Sequence, residues 1–154
     1  MKNLKDYINE GFKLGKNKAS EYKYFPKDKN ELKDILRERL LSDPNADLND
    51  IDVSKIEDMS NLFENIDPHN VDISEWDVSN VENMNSMFNG CVNFNCDISN
   101  WDVSKVEDMN YMFFGCKKFK CKGLEYWNVS RVICKRYMFY KCNSLKNKPS
   151  WYKK

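Results

Sequence analysis

Cysteines that recur at a fixed spacing are the first residues in this sequence that could support metal or redox chemistry. Five of the six cysteines follow a period of about 25 residues: Cys91, Cys96, Cys116, Cys121 and Cys142. Thiols in neighbouring repeats could form disulfides or bind zinc, but C-x4-C without a second Cys or His pair is weak zinc spacing. The preceding repeat has Ile66 and Val71 at the same two positions. Because apolar residues are accepted there, we predict reduced, structural thiols and no metal site.

Catalysis would need a general base, a nucleophile or a phosphate-binding loop in a recognisable pattern. The single histidine, His69, aligns with Phe94, Phe119 and Leu145 of later repeats and therefore occupies a packing position. Glycine-rich phosphate loops, a nucleophile elbow and an H-E-x-x-H motif are all missing from the sequence. We therefore predict a protein that is not an enzyme, with no catalytic residues and no cofactor.

Acidic residues form a second recurring position. Asp52, Asp77 and Asp102, followed by Asn128, stand at the same place in four consecutive repeats. A residue fixed in every repeat usually serves the repeat itself, for example by bonding backbone N–H groups, and we favour this structural role. The alternative is that the column attracts a cation or a basic partner. The exposed positions beside the column vary between repeats: Asp50, Glu75, Asn100 and Tyr126.

Charge is distributed unevenly along the chain. Residues 49–120 carry a net charge of −9 and residues 121–154 a net charge of +8, although the whole chain has a net charge of +1. An acidic field speeds encounter with a basic surface, so we predict a protein partner with a basic face. The predicted partner-binding residues are Asp50, Asp52, Glu75, Asp77, Asn100, Asp102, Tyr126 and Asn128.

The basic C-terminal third supports two alternative hypotheses. Lysines mixed with aromatic residues can bind single-stranded nucleic acid, although lysine-rich chain ends are commonly solvated. Trp151 and Tyr152, which follow Pro149, form an alternative interface that could pack against another copy of the chain and lead to self-assembly. We favour the protein partner over both, and we predict no tight nucleic-acid binding and no membrane contact.

Repeats of 25 or 26 residues must position all of these side chains. Each repeat has Ile or Trp followed by Asp or Asn, Val and Ser, beginning at Ile51, Trp76, Trp101 and Trp127. The L-x-x-L-x-L pattern around these residues alternates like a β-strand. The apolar residues that follow are spaced by three and four, which is typical of one helix face, and Ser-x-x-Glu segments match helix capping boxes. Each repeat is thus predicted to contain a short strand, a turn, a short helical segment and a return loop. Trp76, Trp101 and Trp127 are predicted to stack as one buried column, and Phe88, Phe113 and Phe139 as a second.

The most regular repeat resembles a known family. The sequence of residues 97–116, DISNWDVSKVEDMNYMFFGC, resembles the BspA-like (DUF285) leucine-rich repeats, and the resemblance extends over about residues 48–145. The family occurs in bacterial surface proteins, mycoplasma lipoproteins, bacteriophages and giant viruses. The resemblance implies an α+β repeat protein: a leucine-rich-repeat solenoid of about four coils, with a parallel strand ladder and short helical segments. It also implies protein–protein contact and brings no catalytic residues.

The two ends of the chain differ from the repeats. Residues 1–47 are predicted to form an N-terminal arm and a helical cap, and residues 48–154 the solenoid with its basic C-terminal end. Within the first part, Asp28 and Glu31 form a capping box that opens a helix over residues 28–42, residues 21–25 form a short strand or extended arm, and residues 2–14 form a further helix. Trp151 lies 24 residues after Trp127 and opens a truncated fifth unit.

These observations lead to one functional hypothesis. We expect a non-enzymatic protein-interaction module, expressed as a phage-encoded accessory, virion or host-interaction factor. The N-terminus carries no hydrophobic signal-peptide region, and no apolar run approaches the ~20 residues needed to cross a bilayer. We therefore expect a cytoplasmic protein, found in the host cytoplasm or the virion and not secreted.

Overall fold

A computed structural model describes residues 21–153 of the chain. Helix α1 spans Lys29–Ser42, and its N-cap Asp28 accepts hydrogen bonds from the N–H groups of Asn30 and Glu31. The predicted helix and its N-cap at Asp28 are therefore confirmed. The Glu31 carboxylate accepts the N–H of Lys27 and not that of Asp28, so the reciprocal bond of the predicted capping box is not formed. The other helical element is a short 3-10 helix at Leu124–Tyr126. The helix predicted over residues 2–14 lies outside the described residues.

The predicted leucine-rich-repeat solenoid with a parallel strand ladder and short helical segments is wrong. Residues 21–153 contain α1, the 3-10 helix and isolated bridges, but no β-strand, and α1 precedes the repeats. The bridges are parallel and join single residues of neighbouring segments. One series connects Asp58, Asn83, Asp108 and Cys134. The residues predicted as a ladder, from Trp76 to Val78 and their equivalents, form no bridges in later repeats.

Successive β-turns replace the predicted strand and helix. The N–H of Trp76 bonds the carbonyl of Ile73 at 3.2 Å, that of Val81 the carbonyl of Val78 at 2.9 Å, and each turn begins and ends on a buried residue. A turn closed from residue i to residue i+3 repeats an apolar side chain every three residues. Consecutive turns, and not a helix face, therefore produce the spacing of three residues between apolar side chains in each repeat.

Residues with a left-handed backbone explain why no α-helix forms within the repeats. Asn61, Ser86, Tyr111 and Tyr137 occupy one position in four repeats and have φ between 53° and 56°. A left-handed residue in each repeat ends any α-helical run and turns the adjacent N–H groups away from their own repeat. These groups bond the next repeat instead, as the N–H of Ser86 does to the carbonyl of Asn110 at 2.8 Å.

Aromatic columns form the centre of the core. Trp76, Trp101 and Trp127 are 4–5% exposed, and the rings of Trp76 and Trp101 are nearly parallel at 6.4 Å. A second column of stacked rings contains Phe63, Phe88, Phe113 and Phe139. The predicted Trp and Phe columns are therefore confirmed. No helix within residues 21–153 is both long and apolar enough to cross a bilayer.

Hydrogen bonds from buried side chains connect each repeat to the one before it. The indole N–H of Trp101 donates to the carbonyl of Ile73 at 3.0 Å, and Trp76 and Trp127 make the equivalent bond. Trp151 continues the series by donating to Leu124 at 2.8 Å, which confirms that a fifth unit begins there. The thiols of Cys91, Cys116 and Cys142 also face carbonyls of the preceding repeat, and all six cysteines are free.

Candidate functional site

The recurring aspartates hold turns within their own repeats. The Asp52 carboxylate accepts the hydroxyl of Ser54 at 2.6 Å and its backbone N–H at 3.1 Å. Asp77 with Ser79 repeats both bonds, while Asp102 accepts the backbone N–H of Ser104. These serines therefore do not cap helices, and the capping boxes predicted inside the repeats are wrong. The structure instead gives the column the structural role that the sequence analysis favoured.

The same aspartates line an open groove of about 580 Å³. Glu75 and Asn100, which precede Asp77 and Asp102 by two residues, also line the groove, and the buried Trp76 and Val78 belong to its floor. The predicted surface residues that the structure brings together in this groove are Asp52, Glu75, Asp77, Asn100 and Asp102. Hydrogen bonds from Ser104 lower the pKa of Asp102 below its ordinary value, so this carboxylate stays charged in mildly acidic solution.

Tyr22 completes the groove at its N-terminal side, and the sequence analysis did not select it. The arm before α1 lies against the first repeat, where Tyr24 forms a parallel bridge with Ile51 and its carbonyl accepts the N–H of Asp52 at 2.9 Å. Partial burial raises the pKa of Tyr22, and the charges of Asp52 and its acidic neighbours add to the effect. No spacing in the sequence connects Tyr22 with the aspartate column, because their proximity depends on how the arm docks.

The other predicted surface residues lie elsewhere. Asp50 is 17% exposed and accepts two bonds from the guanidinium of Arg39, at 2.9 and 3.0 Å, with Lys23 at 3.4 Å. It therefore anchors α1 and the arm to the first repeat. Tyr126 is 89% exposed at the end of the 3-10 helix, and Asn128 accepts the N–H of Ser130. Neither of these two residues lines the groove.

One protein-family model matches most of the chain. The model of the family described as "Mycoplasma protein of unknown function, DUF285" matches residues 31–152. The chain belongs to this family. Neither curated proteins nor solved structures give a match.

The family match covers most of the site in this DUF285 chain. Asp52, Glu75, Asp77, Asn100 and Asp102 all lie within the matched residues, whereas Tyr22 precedes them. The family description states no function.

In the DUF285 chain, the two residues of the predicted alternative interface make contacts with the last repeat of their own chain. Trp151 and Tyr152 pack against Phe139 with ring centroids 6.3 and 5.0 Å apart. Both side chains are half-buried. They close the last repeat and leave part of each ring at the surface.

A patch of exposed aromatic rings, which the sequence analysis did not predict, lies in the last two repeats. Tyr111 stacks on Tyr137 and Phe114 stacks on Tyr140, each pair at 5.4 Å. Tyr137 and Tyr140 are 55% and 51% exposed, and the Lys141 ammonium lies over the ring of Tyr140. Earlier repeats have Asn61, Ser86, Glu64 and Asn89 at these positions. Comparing these columns between repeats would have revealed the patch.

Proposed function

We propose that this protein is a binding module whose acidic groove takes a basic segment of a protein partner. The observation that supports this function is the convergence of Asp52, Glu75, Asp77 and Asp102 around one groove. Carboxylates from three repeats there create a negative field, which attracts lysine and arginine side chains and raises the association rate.

The groove also offers contacts that charge alone does not provide. Tyr22 supplies an aromatic surface at one side, and Trp76 and Val78 supply apolar atoms at the floor. Lysine and arginine stems can lie along such apolar surface while their charged ends reach the carboxylates. A partner segment that alternates basic and apolar residues fits this arrangement.

Several features of the hypothesis stay predictions. They are the non-enzymatic character of the module, its place in a cytoplasm or virion, and its role as a phage-encoded accessory or host-interaction factor. Binding of nucleic acid by the basic C-terminal third and self-assembly are the alternatives.

A labelled decapeptide that alternates lysine and valine tests the groove directly. We expect the Glu75→Gln, Asp77→Asn double variant to bind it up to about 30-fold more weakly, because two exposed charges each contribute up to about 1 kcal/mol. Asn at position 77 preserves the turn, since Asn128 accepts the same backbone bond from Ser130. Fluorescence anisotropy at low and physiological salt measures the affinity.

A matched variant controls for the loss of charge. Glu57 and Glu82 are exposed residues of neighbouring repeats that do not line the groove, and Glu57→Gln with Glu82→Gln removes the same charge. This control is expected to bind within about twofold of the wild-type protein. Equal weakening of both double variants would show that only the overall charge matters and would reject the groove as the site.

A further inference from the structure

The described part of the chain begins beside the acidic groove. Tyr22, the second described residue, lines the groove together with Asp77. The arm that carries Tyr22 is fixed to the first repeat, where the N–H of Lys23 bonds the carbonyl of Asp50 at 2.8 Å. The residues that precede the arm in the sequence are therefore attached to the molecule at the N-terminal side of the groove.

The sequence just before the arm has the charge that the groove lacks. Lys13, Lys16 and Lys18 are the only charged residues in the stretch KLGKNKAS at residues 13–20. The groove, in contrast, is lined by carboxylates from three repeats. Such a cluster of carboxylates attracts lysine side chains. Leu14 adds an apolar side chain, so the stretch combines basic and apolar residues as the proposed partner segment does.

The number of residues between the lysines and Tyr22 allows them to reach the carboxylates. An extended chain covers about 3.4 Å per residue, so Lys18 can lie up to about 14 Å from Tyr22 and Lys13 up to about 31 Å from it. Parallel bridges join neighbouring repeats at a spacing of about 5 Å, so carboxylates from three successive repeats extend over roughly 10 Å. The stretch is therefore long enough to lie along the whole groove.

Attachment to the arm also favours this occupant energetically. A short linker holds a tethered ligand at an effective concentration in the millimolar range. A segment of weak separate affinity can therefore fill the groove for much of the time. A competing partner then binds with an apparent affinity that is reduced in proportion to the fraction of free groove.

We propose that residues 13–18 of this chain occupy the acidic groove and that a basic partner segment binds by displacing them. This inference rests on the proposed function, because it assigns the same groove a preference for basic segments. It adds an autoinhibitory contact that sets how strongly a partner must bind. The segment belongs to the same chain and not to a second copy, since Tyr22 attaches it beside the carboxylates.

Carbodiimide cross-linking of the full chain tests the contact without any peptide. The reagent activates a carboxylate, and a lysine amine within reach then displaces the activating group as a urea and forms an amide. We expect cross-links from the lysines of residues 13–18 to Glu75 or Asp77. Glu57 is exposed and does not line the groove, so it is the reference carboxylate and should give few such cross-links. Cross-links to Glu57 that equal those to the groove would overturn the proposal.

An isotope mixture distinguishes this segment from that of a second copy. Protein labelled with ¹⁵N is mixed with unlabelled protein before cross-linking, and the joined peptides are analysed by mass spectrometry. Products that carry a single isotope are expected, because both peptides come from one chain. A majority of mixed products would overturn the proposal in favour of a second copy.

Competition with the lysine–valine decapeptide tests the regulatory effect. The Lys13→Gln, Lys16→Gln, Lys18→Gln variant should bind the peptide at least about threefold more tightly than the wild-type protein, because a groove that is filled two thirds of the time has a threefold weaker apparent affinity. Peptide binding that requires Glu75 and Asp77 but is equally tight in the two proteins would overturn this inference and leave the proposed function intact. Cross-links to the groove in a protein that binds no peptide would have the opposite meaning: they would support the occupancy and reject the proposed function.

A matched variant controls for the loss of positive charge. Lys117, Lys118 and Lys120 are exposed and do not line the groove, so Lys117→Gln, Lys118→Gln, Lys120→Gln removes the same charge elsewhere. This control should bind the peptide within about twofold of the wild-type protein. Equal tightening in both triple variants would show that net charge alone governs binding and would overturn the proposal.

Discussion

Buried donors explain why tryptophan and cysteine recur in the later repeats. Trp101 and Cys116 each donate to a carbonyl of the preceding repeat, at 3.0 Å in both cases. The first repeat has no equivalent repeat before it, and it carries Ile51 and Ile66 at the same two positions. Isoleucine fills the space without offering a donor. The sequence comparison correctly indicated an apolar site, but it could not show that the cysteine side chain also connects neighbouring repeats.

The buried thiols should be slow to react in the folded protein. Burial raises the pKa of Cys91 to about 12 and that of Cys142 to about 11, and burial with its thiol neighbours raises the pKa of Cys116 further. The thiolate is the reactive form, so labelling of Cys91 by iodoacetamide at pH 8 should be at least about 100-fold slower in the native protein than in urea. Mass spectrometry of labelled peptides gives both rates.

A valine variant separates thiol chemistry from packing. Cys91→Val resembles the natural Ile66 of the first repeat, so the protein should fold and lose one labelled site. If Cys91 of the native wild-type protein is labelled as fast as it is in urea, its sulfur is not buried.

The β-turns are the elements that the sequence pattern predicts least well. The 25-residue period, helix α1, and the buried Trp and Phe columns could all be predicted, because the N-cap Asp28 and the repeated apolar positions have direct structural causes. An apolar residue at every third position is compatible with both a helix face and consecutive β-turns. The left-handed residue that decides between them is Asn61, Ser86 or Tyr111 in successive repeats, and none of these is a glycine.

Two substitutions with opposite expected effects test the left-handed positions. Ser86 has φ 56°, so Ser86→Gly should raise the free energy of unfolding by roughly 0.5–1 kcal/mol because glycine adopts this backbone without strain. Gly90 has φ 77°, a left-handed backbone that alanine adopts only with strain. Gly90→Ala should therefore lower the free energy of unfolding by about 1–2 kcal/mol, although a Cβ there meets no atom within 4 Å. Urea unfolding followed by circular dichroism measures both.

The control for these variants is a neighbouring residue without a positive φ. Asn89→Gly introduces the same flexible residue in the same repeat and should lower the free energy of unfolding by about 0.5–1 kcal/mol. If Ser86→Gly destabilises as much as Asn89→Gly does, the backbone at position 86 is not left-handed.

At the scale of the whole molecule, the first repeat is covered more completely than the last repeat. Helix α1 covers the first repeat through buried Leu32 and Leu36, whereas the last repeat is closed by Trp151 and Tyr152, which remain half-buried. The acidic groove depends on the first three repeats and the aromatic patch on the last two. The four groove carboxylates all belong to residues 49–120, which carry a net charge of −9, whereas residues 121–154 carry a net charge of +8.

Acid should weaken the whole fold through the turns that aspartates hold. Hydrogen bonds from the following serines lower the pKa values of Asp72, Asp97 and Asp102. A carboxylate whose pKa is lower in the folded than in the unfolded chain stabilises the fold above the unfolded value, and this contribution is lost as the pH falls through the folded value. The melting temperature should therefore decrease as the pH falls below about 4, near the ordinary pKa of aspartate.

Replacing these three aspartates by asparagine isolates their contribution to the acid response. Asparagine can accept the same turn hydrogen bond, as Asn128 does from Ser130, but it does not titrate. The Asp72→Asn, Asp97→Asn, Asp102→Asn variant should therefore melt below the wild-type protein at pH 7 and approach it at pH 3, because charge-assisted hydrogen bonds are stronger than neutral ones. Calorimetry between pH 7 and pH 3 measures the difference. A gap between the two melting temperatures that stays constant over this range would mean that the turn carboxylates do not couple protonation to folding.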